Sequence, residues 1–429
     1  MTKKIEKVLN DVIEEIKPSS EERKDIEKRT KKFIDELKKE IKNQKIDAVP
    51  FIGGSFAKGT LIKKKKYDVD IFIRFSNKYN DSEISLRTKK ILEKIRKHQN
   101  VHGSREYYRV IEKDNLFFEV VPVIKINKPE EARNTTDLSY FHVKYLNKKL
   151  KTEKIRDEIR IAKSFCNYNK CYGAESYIKG FSGYALELLI YYYGSFEKFI
   201  REIIKIKEKE IIDIEKHHKT KRKVMMNLNT SKLNSPIILI DPTFKQRNAL
   251  AALSEKTFHR FQEICENFIK NPNKDYFKTK KTDIEKIKNK AKKSKKEFIL
   301  IEAKTEKPEG DVAGGKLLKF YSILSREINK FFEIQEKGFN YNEKKSARYY
   351  FLVKPNKKII KEGPFKDDKK NMQRFIKKHK NIFEKGKKIY AKEQINFNLK
   401  DFVQEWKKNN KRTMKDMDIN TMKVIDFQD

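Results

Sequence analysis

Residues 67–75, Tyr-Asp-Val-Asp-Ile-Phe-Ile-Arg-Phe, alternate without a break. Val69, Ile71, Ile73 and Phe75 fall on one face, and Asp68, Asp70, Phe72 and Arg74 on the other, as in a strand with one face buried. The two carboxylates therefore point the same way. Like charges one strand repeat apart repel unless a cation lies between them, and hard carboxylate oxygens with open coordination positions suit Mg²⁺ bound together with substrate phosphates. A bare Asp-x-Asp is more often a solvated hairpin than a catalytic pair, so the flanking residues have to decide.

Upstream, residues 48–52 form a short apolar run that ends in Gly53 and Gly54, and residues 55–58 can open a helical turn. Glycines at such a turn let backbone N–H groups approach a phosphate closely. The chain carries its own control: Gly194, Ser195 and Phe196 repeat the Gly-Ser-Phe triplet with no carboxylate pair behind it, and read as an ordinary helix start. A two-metal site needs a third carboxylate. Glu119 is the first candidate, because it lies in residues 116–123, an apolar run that reads as a buried strand, where an unpaired acid is costly. Glu112 and Asp114, in the polar turn before that run, are the alternatives.

With Glu119 behind it, the stretch 51–75 resembles the catalytic signature of the DNA polymerase beta-like nucleotidyltransferases. The rest of the chain is similar to the archaeal class I CCA-adding enzymes, which are tRNA nucleotidyltransferases. The further pieces that carry the resemblance are residues 135–145 with Phe141 and His142, residues 172–184 (YGAESYIKGFSGY), and Asp241, Pro242, Arg247 and Asn248. The resemblance implies an α+β fold: a nucleotidyltransferase head of mixed sheet and helices (1–145), a helical neck completing the nucleotide pocket (146–277) and a basic C-terminal α+β body and tail that binds tRNA (278–429). It implies two Mg²⁺ ions on Asp68, Asp70 and Glu119. Gly54, Ser55, Lys58, His142, Lys163 and Tyr172 would hold the triphosphate of CTP or ATP, and Arg247 would help to read the base. Two positions depart from the family pattern. Glu119 stands where Asp is usual, and Lys58 stands where relatives usually carry Arg, a point charge in place of a bidentate fork.

Composition agrees with a polyanionic partner. The formal net charge is +40, although lysine is spread through the whole chain and part of that excess is general composition. At 429 residues the chain can bury more than one core, and only 14 Gly and 10 Pro point to few long loops and much helix. Cys166, Cys171 and Cys265 make no metal-ligand pattern and leave one unpaired in any disulfide scheme, which fits a reducing cytoplasm. The most apolar stretch, residues 184–193, is too short to span a bilayer, so a soluble protein is expected.

Along the chain, residues 1–44 read as two helices broken at Pro18, the second opened by a Ser19/Glu22 capping box, with Ile26, Phe33, Ile34, Leu37 and Ile41 as one stripe. A helix is expected near 81–97. Lys163 lies on a helix with Ile155, Ile159, Ala162 and Cys166, and Tyr172 follows beyond its end. Residues 181–193 are apolar nearly all round, so their tyrosines read as core and not as a base-stacking platform. A loop is expected around 217–223. Residues 236–240 read as a buried strand, Arg247 as part of a turn before a helical run 248–253, and Ser254 as the cap of a helix bearing Phe258, Phe261, Ile264, Phe268 and Ile269. The basic stretch 278–296 is the expected domain boundary. Beyond it, 298–303 and 349–353 read as strands, 317–332 and 371–380 as helices, Gly363, Pro364 and Phe365 as a turn between strands, and 395–406 as the end of the folded part.

The function expected is addition of CMP and AMP to the 3′ end of tRNA, held by its acceptor and T arms, with release of pyrophosphate and no nucleic-acid template. A poly(A) polymerase-like terminal transferase and a non-catalytic RNA-binding protein on the same scaffold are the alternatives. A homodimer is left open.

Overall fold

A computed structural model describes residues 3–101, 103, 105–112, 115–278, 283–294, 296–356 and 358–425. They fall into two compact units, Met1–Lys280 and Lys281–Asp429. Asp114, one alternative third carboxylate, lies outside the described residues.

In the first unit, helices α1 (Lys3–Ile16) and α2 (Ser20–Asn43) part at Pro18, and Ser19 and Glu22 form the reciprocal capping box at the start of α2. A mixed sheet follows, made of β1 (Ala48–Ile52), β2 (Tyr67–Phe75), β3 (His98–Val101), β4 (Tyr107–Ile111) and β5 (Leu116–Ile124), with α3 (Gly54–Ala57) after β1 and α4 (Asp81–Ile95) after β2. The strand order is β1-β2-β5-β4-β3. Only the central pair β2–β5 is parallel; the others run antiparallel. Val69, Ile71, Ile73 and Phe75 are fully buried against the stripes of α2 and α4. That leaves the opposite face, with Asp68 and Asp70, free to build a site.

The second core of this unit is helical: α5 (Ser139–Lys149), α6 (Glu153–Tyr168), α7 (Gly183–Tyr193), α8 (Phe196–Ile203), α9 (Lys221–Asn227) and α10 (Glu255–Lys270), with a small sheet of β6 (Glu210–Asp213), β7 (Ile237–Asp241) and β8 (Phe244–Asn248). Phe165, Leu189 and Phe261 lie at its centre, and Ile5, Leu9, Val12 and Ile16 of α1 pack into the same core. Ser195 caps α8, as an ordinary helix start does. All three cysteines are buried and unbridged.

Local structure corrects the reading at two points here. Arg247 sits on β8, and the residues after it form a turn, not a helix, because the Asn248 Oδ1 accepts hydrogen bonds from the N–H groups of both Leu239 and Leu250 and so holds the chain in a bend. The loop expected at 217–223 is present over 217–220 and ends at α9, whose cap is Thr220.

The second unit opens with α11 (Ile284–Lys293), which buries Ile287 and Ala291. Its main sheet, in the order β10-β11-β9-β15, comprises β9 (Glu297–Lys304), β10 (Phe332–Tyr341), β11 (Ser346–Pro355) and β15 (Thr421–Val424). Helices α12 (Asp311–Asn329) and α14 (Leu399–Asn409) contribute Leu317, Phe320, Val403 and Trp406 to its core. A smaller sheet, β12 (Lys358–Phe365), β14 (Lys388–Gln394) and β13 (Ile382–Lys385), carries α13 (Lys369–Lys378). Gly363 and Pro364 do not turn the chain; they lie within β12 at a register shift between Glu362 and Phe365, where a proline costs no ladder hydrogen bond. Nor does the fold stop at Trp406: α15 (Lys411–Asp416) and β15 follow, and β15 completes the main sheet by pairing with β9. Among the described residues no helix is long and apolar enough to cross a membrane.

Candidate active site

Parallel pairing of β2 with β5 sets Asp70 directly opposite Glu119, and Asp68 lies one repeat away on the same face. The two glycines explain how the turn reaches this point. The Gly53 N–H donates to the Asp70 carbonyl at 2.8 Å, and a Cβ on Gly53 would lie 2.3 Å from the Phe72 ring. At Gly54 a Cβ would lie 1.7 Å from Asp70 Oδ2, and φ is +60°. The glycines thus make room first of all for the strand's own carboxylate and aromatic side chain.

Three acids crowd here. Burial, then the charges of Glu119 and Asp68, raise the Asp70 carboxyl from 3.8 to about 7. The outer two acids each hold a cation: Lys64 Nζ lies 2.8 Å from Asp68 Oδ1, and Arg109 Nη2 lies 2.7 Å from Glu119 Oε1. Among the described residues no three His, Cys, Asp or Glu side chains stand ready to hold a metal ion. The donor set itself, carboxylate oxygens whose mutual repulsion a cation relieves, fits a hard divalent ion. Glu112, the other alternative, is engaged elsewhere by Arg96.

Behind the turn, Lys58 ends α3 and meets α6 and α7. Lys58 Nζ lies 2.5 Å from Glu187 Oε2, and Lys163 Nζ lies 2.6 Å from Glu187 Oε1 and 2.9 Å from the Thr60 hydroxyl, which itself donates to Glu187 at 2.8 Å. All four side chains are buried, so two ammonium groups share one carboxylate and a net positive charge remains inside the protein. Burial alone would raise Glu187, but Lys163 and Lys58 outweigh it and hold the carboxyl low. Burial pulls Lys163 down against the opposing pull of Glu187. Ser55 lies half-buried on α3, its carbonyl accepting from the Thr60 N–H. Tyr172 is bridged to Phe181, and burial, then the charges of Glu187, Asp68 and Asp70, raise its hydroxyl.

Asp241 organises a third cluster. Its Oδ2 receives His142 Nε2 at 3.0 Å and Arg247 Nη1 at 2.8 Å; its Oδ1 receives the Tyr184 hydroxyl at 2.9 Å and both the N–H and the hydroxyl of Thr243 at 2.8 Å. The His142 and Tyr184 rings stack with centroids 3.8 Å apart. Tyr184 is thus half-buried, packed against the helical core as its apolar helix suggested, with its hydroxyl turned to Asp241.

Asp68, Asp70 and Glu119 thus share one strand face, Lys58 and Lys163 share Glu187, and His142 and Arg247 share Asp241. Glu187, Asp241, Thr60 and Arg109 were not singled out as site residues. Glu187 had a signal, being the lone charged residue of α7, where a buried acid requires partners. Arg109 had none, because only strand register sets it opposite Glu119.

Residues 157–278 match the family described as the tRNA nucleotidyltransferase second domain, and residues 3–139 match the second messenger oligonucleotide or dinucleotide synthetase domain. The chain is 33% identical over 343 residues to the CCA-adding enzyme of Nanoarchaeum equitans, spanning 78% of this chain and 80% of that one. It is 28% identical over 402 residues to the CCA-adding enzyme of Methanocaldococcus jannaschii, spanning 90% and 87%. Among solved structures, the Cid1 poly(U) polymerase superposes with a TM-score of 0.50 at 15% identity, over 65% of this chain and 100% of that one, a similarity of fold. With one third of residues shared across four-fifths of the Nanoarchaeum equitans protein, the chain belongs to the CCA-adding enzyme family of tRNA nucleotidyltransferases.

Proposed function

We propose that this chain builds or repairs the 3′-terminal CCA of tRNA from CTP and ATP, releasing pyrophosphate and using no nucleic-acid template. The observation that carries the reading is the pairing of Asp70 with Glu119 across two parallel strands, Asp68 beside them, in a unit that also buries two lysines against one carboxylate. Divalent metal use follows from the family, and two Mg²⁺ ions on Asp68, Asp70 and Glu119 are the form proposed. Bound there, they would supply positive charge to the attacking and leaving oxygens.

The protein's own part is to position. Lys58 and Lys163 present a fixed positive pocket to the triphosphate, with Gly54, Ser55, His142 and Tyr172 as its further contacts. Arg247, anchored at Nη1 by Asp241, keeps the rest of its donor fork for the base edge. The RNA 3′ hydroxyl attacks the α-phosphorus in line, and the bond to pyrophosphate breaks on the opposite side.

A head of residues 1–145, a neck of 146–277 and an RNA-binding part of 278–429 are the proposed division of labour. In the last of these, Lys407, Lys408, Lys411 and Lys415 line a hollow together with Glu306 and Asp418, and the excess of lysine suits the phosphates of the acceptor and T arms. A cytoplasmic enzyme, as a monomer or homodimer, completes the reading.

The test supplies Mg²⁺, CTP and ATP to tRNAs ending before the first C, the second C and the A, and sequences the products. Ordered restoration of CCA is expected. Long A tails would indicate a poly(A) polymerase-like transferase, and no extension a non-catalytic RNA-binding protein.

A further inference from the structure

The cation on Glu119 poses a question that the proposed chemistry leaves open. Arg109 is the cross-strand partner of Glu119, its Nη2 donates to Oε1 at 2.7 Å, and its guanidinium packs over the Phe117 ring at 4.7 Å. Its Nε is buried and has no hydrogen-bond partner. Nε and Nη2 form one edge of the guanidinium, the edge that grips a phosphate with two parallel hydrogen bonds. Here half of that edge is spent on a carboxylate and half on nothing.

A divalent ion on Glu119 draws on the same carboxylate that holds Arg109 and repels the guanidinium, so it weakens that ion pair. Arg109 is then available to another anion. Sheet order says which. The strands run β1-β2-β5-β4-β3, the glycine turn with Lys58 follows β1, and Arg109 lies on β4, across the carboxylates from that turn. In an in-line displacement the leaving and attacking oxygens lie on opposite sides of the phosphorus. If pyrophosphate leaves toward the Lys58 side, the RNA 3′ end arrives on the β4 side.

Resting on the proposed role of the three carboxylates, we infer that Arg109 is an exchange residue: it holds Glu119 in the metal-free protein and passes to a backbone phosphate at the RNA 3′ end once Glu119 turns to a divalent ion. Metal and RNA binding are then coupled, each strengthening the other by the same factor.

The test uses the full chain as wild type, Arg109→Ala and Glu119→Gln. Mn²⁺ affinity without RNA is read by electron paramagnetic resonance, and affinity for a tRNA lacking its terminal A is read in EDTA and in Ca²⁺. Arg109→Ala should bind Mn²⁺ several-fold more tightly than wild type, because a competitor for Glu119 is gone. Its tRNA affinity should fall about tenfold in Ca²⁺, within the ordinary range of coupling, and match wild type in EDTA. Glu119→Gln, which weakens the hold on Arg109 without a metal, should bind tRNA more tightly than wild type in EDTA. Unchanged Mn²⁺ affinity in Arg109→Ala, or an equal loss of tRNA affinity in EDTA and Ca²⁺, overturns the exchange and leaves Arg109 a plain brace or phosphate contact. Wild type that takes up no Mn²⁺ at all overturns the metal role of the carboxylates as well, a result distinct from the first.

Discussion

Replacing Asp70 with Asn removes a charge that the metal-free protein holds at a cost. Burial and the charges of Glu119 and Asp68 lift its carboxyl from 3.8 to about 7. A group raised on folding contributes stability that is whole below the unfolded value, near pH 3.8, and is lost as pH rises through the folded value, near 7. At about 1.36 kcal/mol per unit, a rise of about 3 units amounts to about 4 kcal/mol as a ceiling. In EDTA, Asp70→Asn should therefore be more stable than wild type, and the gap should widen by about 2 kcal/mol between about pH 5.5 and about pH 8, the part of the titration still to come. At about 2–4 °C for each kcal/mol, the difference in melting temperature should grow by about 4–8 °C over that interval. Mn²⁺ or Mg²⁺ at pH 8 should shrink or reverse it, because the ion stabilises the wild type far more than the variant. The assay is thermal unfolding of both proteins across pH, with and without the ion. A gap that stays constant with pH would refute the electrostatic crowding on which the metal assignment rests.

Nucleotide addition itself should vanish in Asp68→Asn and Asp70→Asn while tRNA affinity measured in EDTA is kept; a purified variant adding at a near-normal rate would place the metals elsewhere. Glu187→Gln leaves two buried ammonium groups without their counter-charge, a change of about 3–5 kcal/mol in stability for a broken buried pair, and should weaken CTP, ATP and pyrophosphate equally in titration calorimetry; a loss confined to one nucleotide would contradict a triphosphate role. Arg247→Ala should relax the choice of CTP and ATP over UTP and GTP in single-turnover addition, whereas an equal loss for all four would move Arg247 to the phosphates. Replacing Lys292, Lys293, Lys295 and Lys296 together with Gln should flatten the salt dependence of tRNA binding, since each phosphate neutralised contributes about 0.7–0.9 to the slope of log affinity against log salt; superimposable slopes would remove this segment from the RNA footprint. Lys295 lies outside the described residues.

What the sequence determined by itself was local. Alternation in 67–75 fixes a strand with both aspartates on one face, because side chains in a strand alternate whatever packs around them. The Ser19 box, the Pro18 break and the Ser195 and Ser254 caps are legible for the same reason, since each satisfies its hydrogen bonds within four residues. Where such patterns were faint the sequence said less: His98–Val101 is mostly polar and shows no strand period, and the turn after Arg247 looked helical because its apolar run could not reveal Asn248 bonding back to Leu239. Tertiary structure alone decided which charges meet. Lys58 and Glu187 are 129 residues apart, His142 and Asp241 are 99 apart, and no spacing rule links either pair. It is burial that makes them partners, because two ammonium groups can be enclosed only where a carboxylate from another helix is enclosed with them, and Arg109 comes to face Glu119 only through the register of two strands.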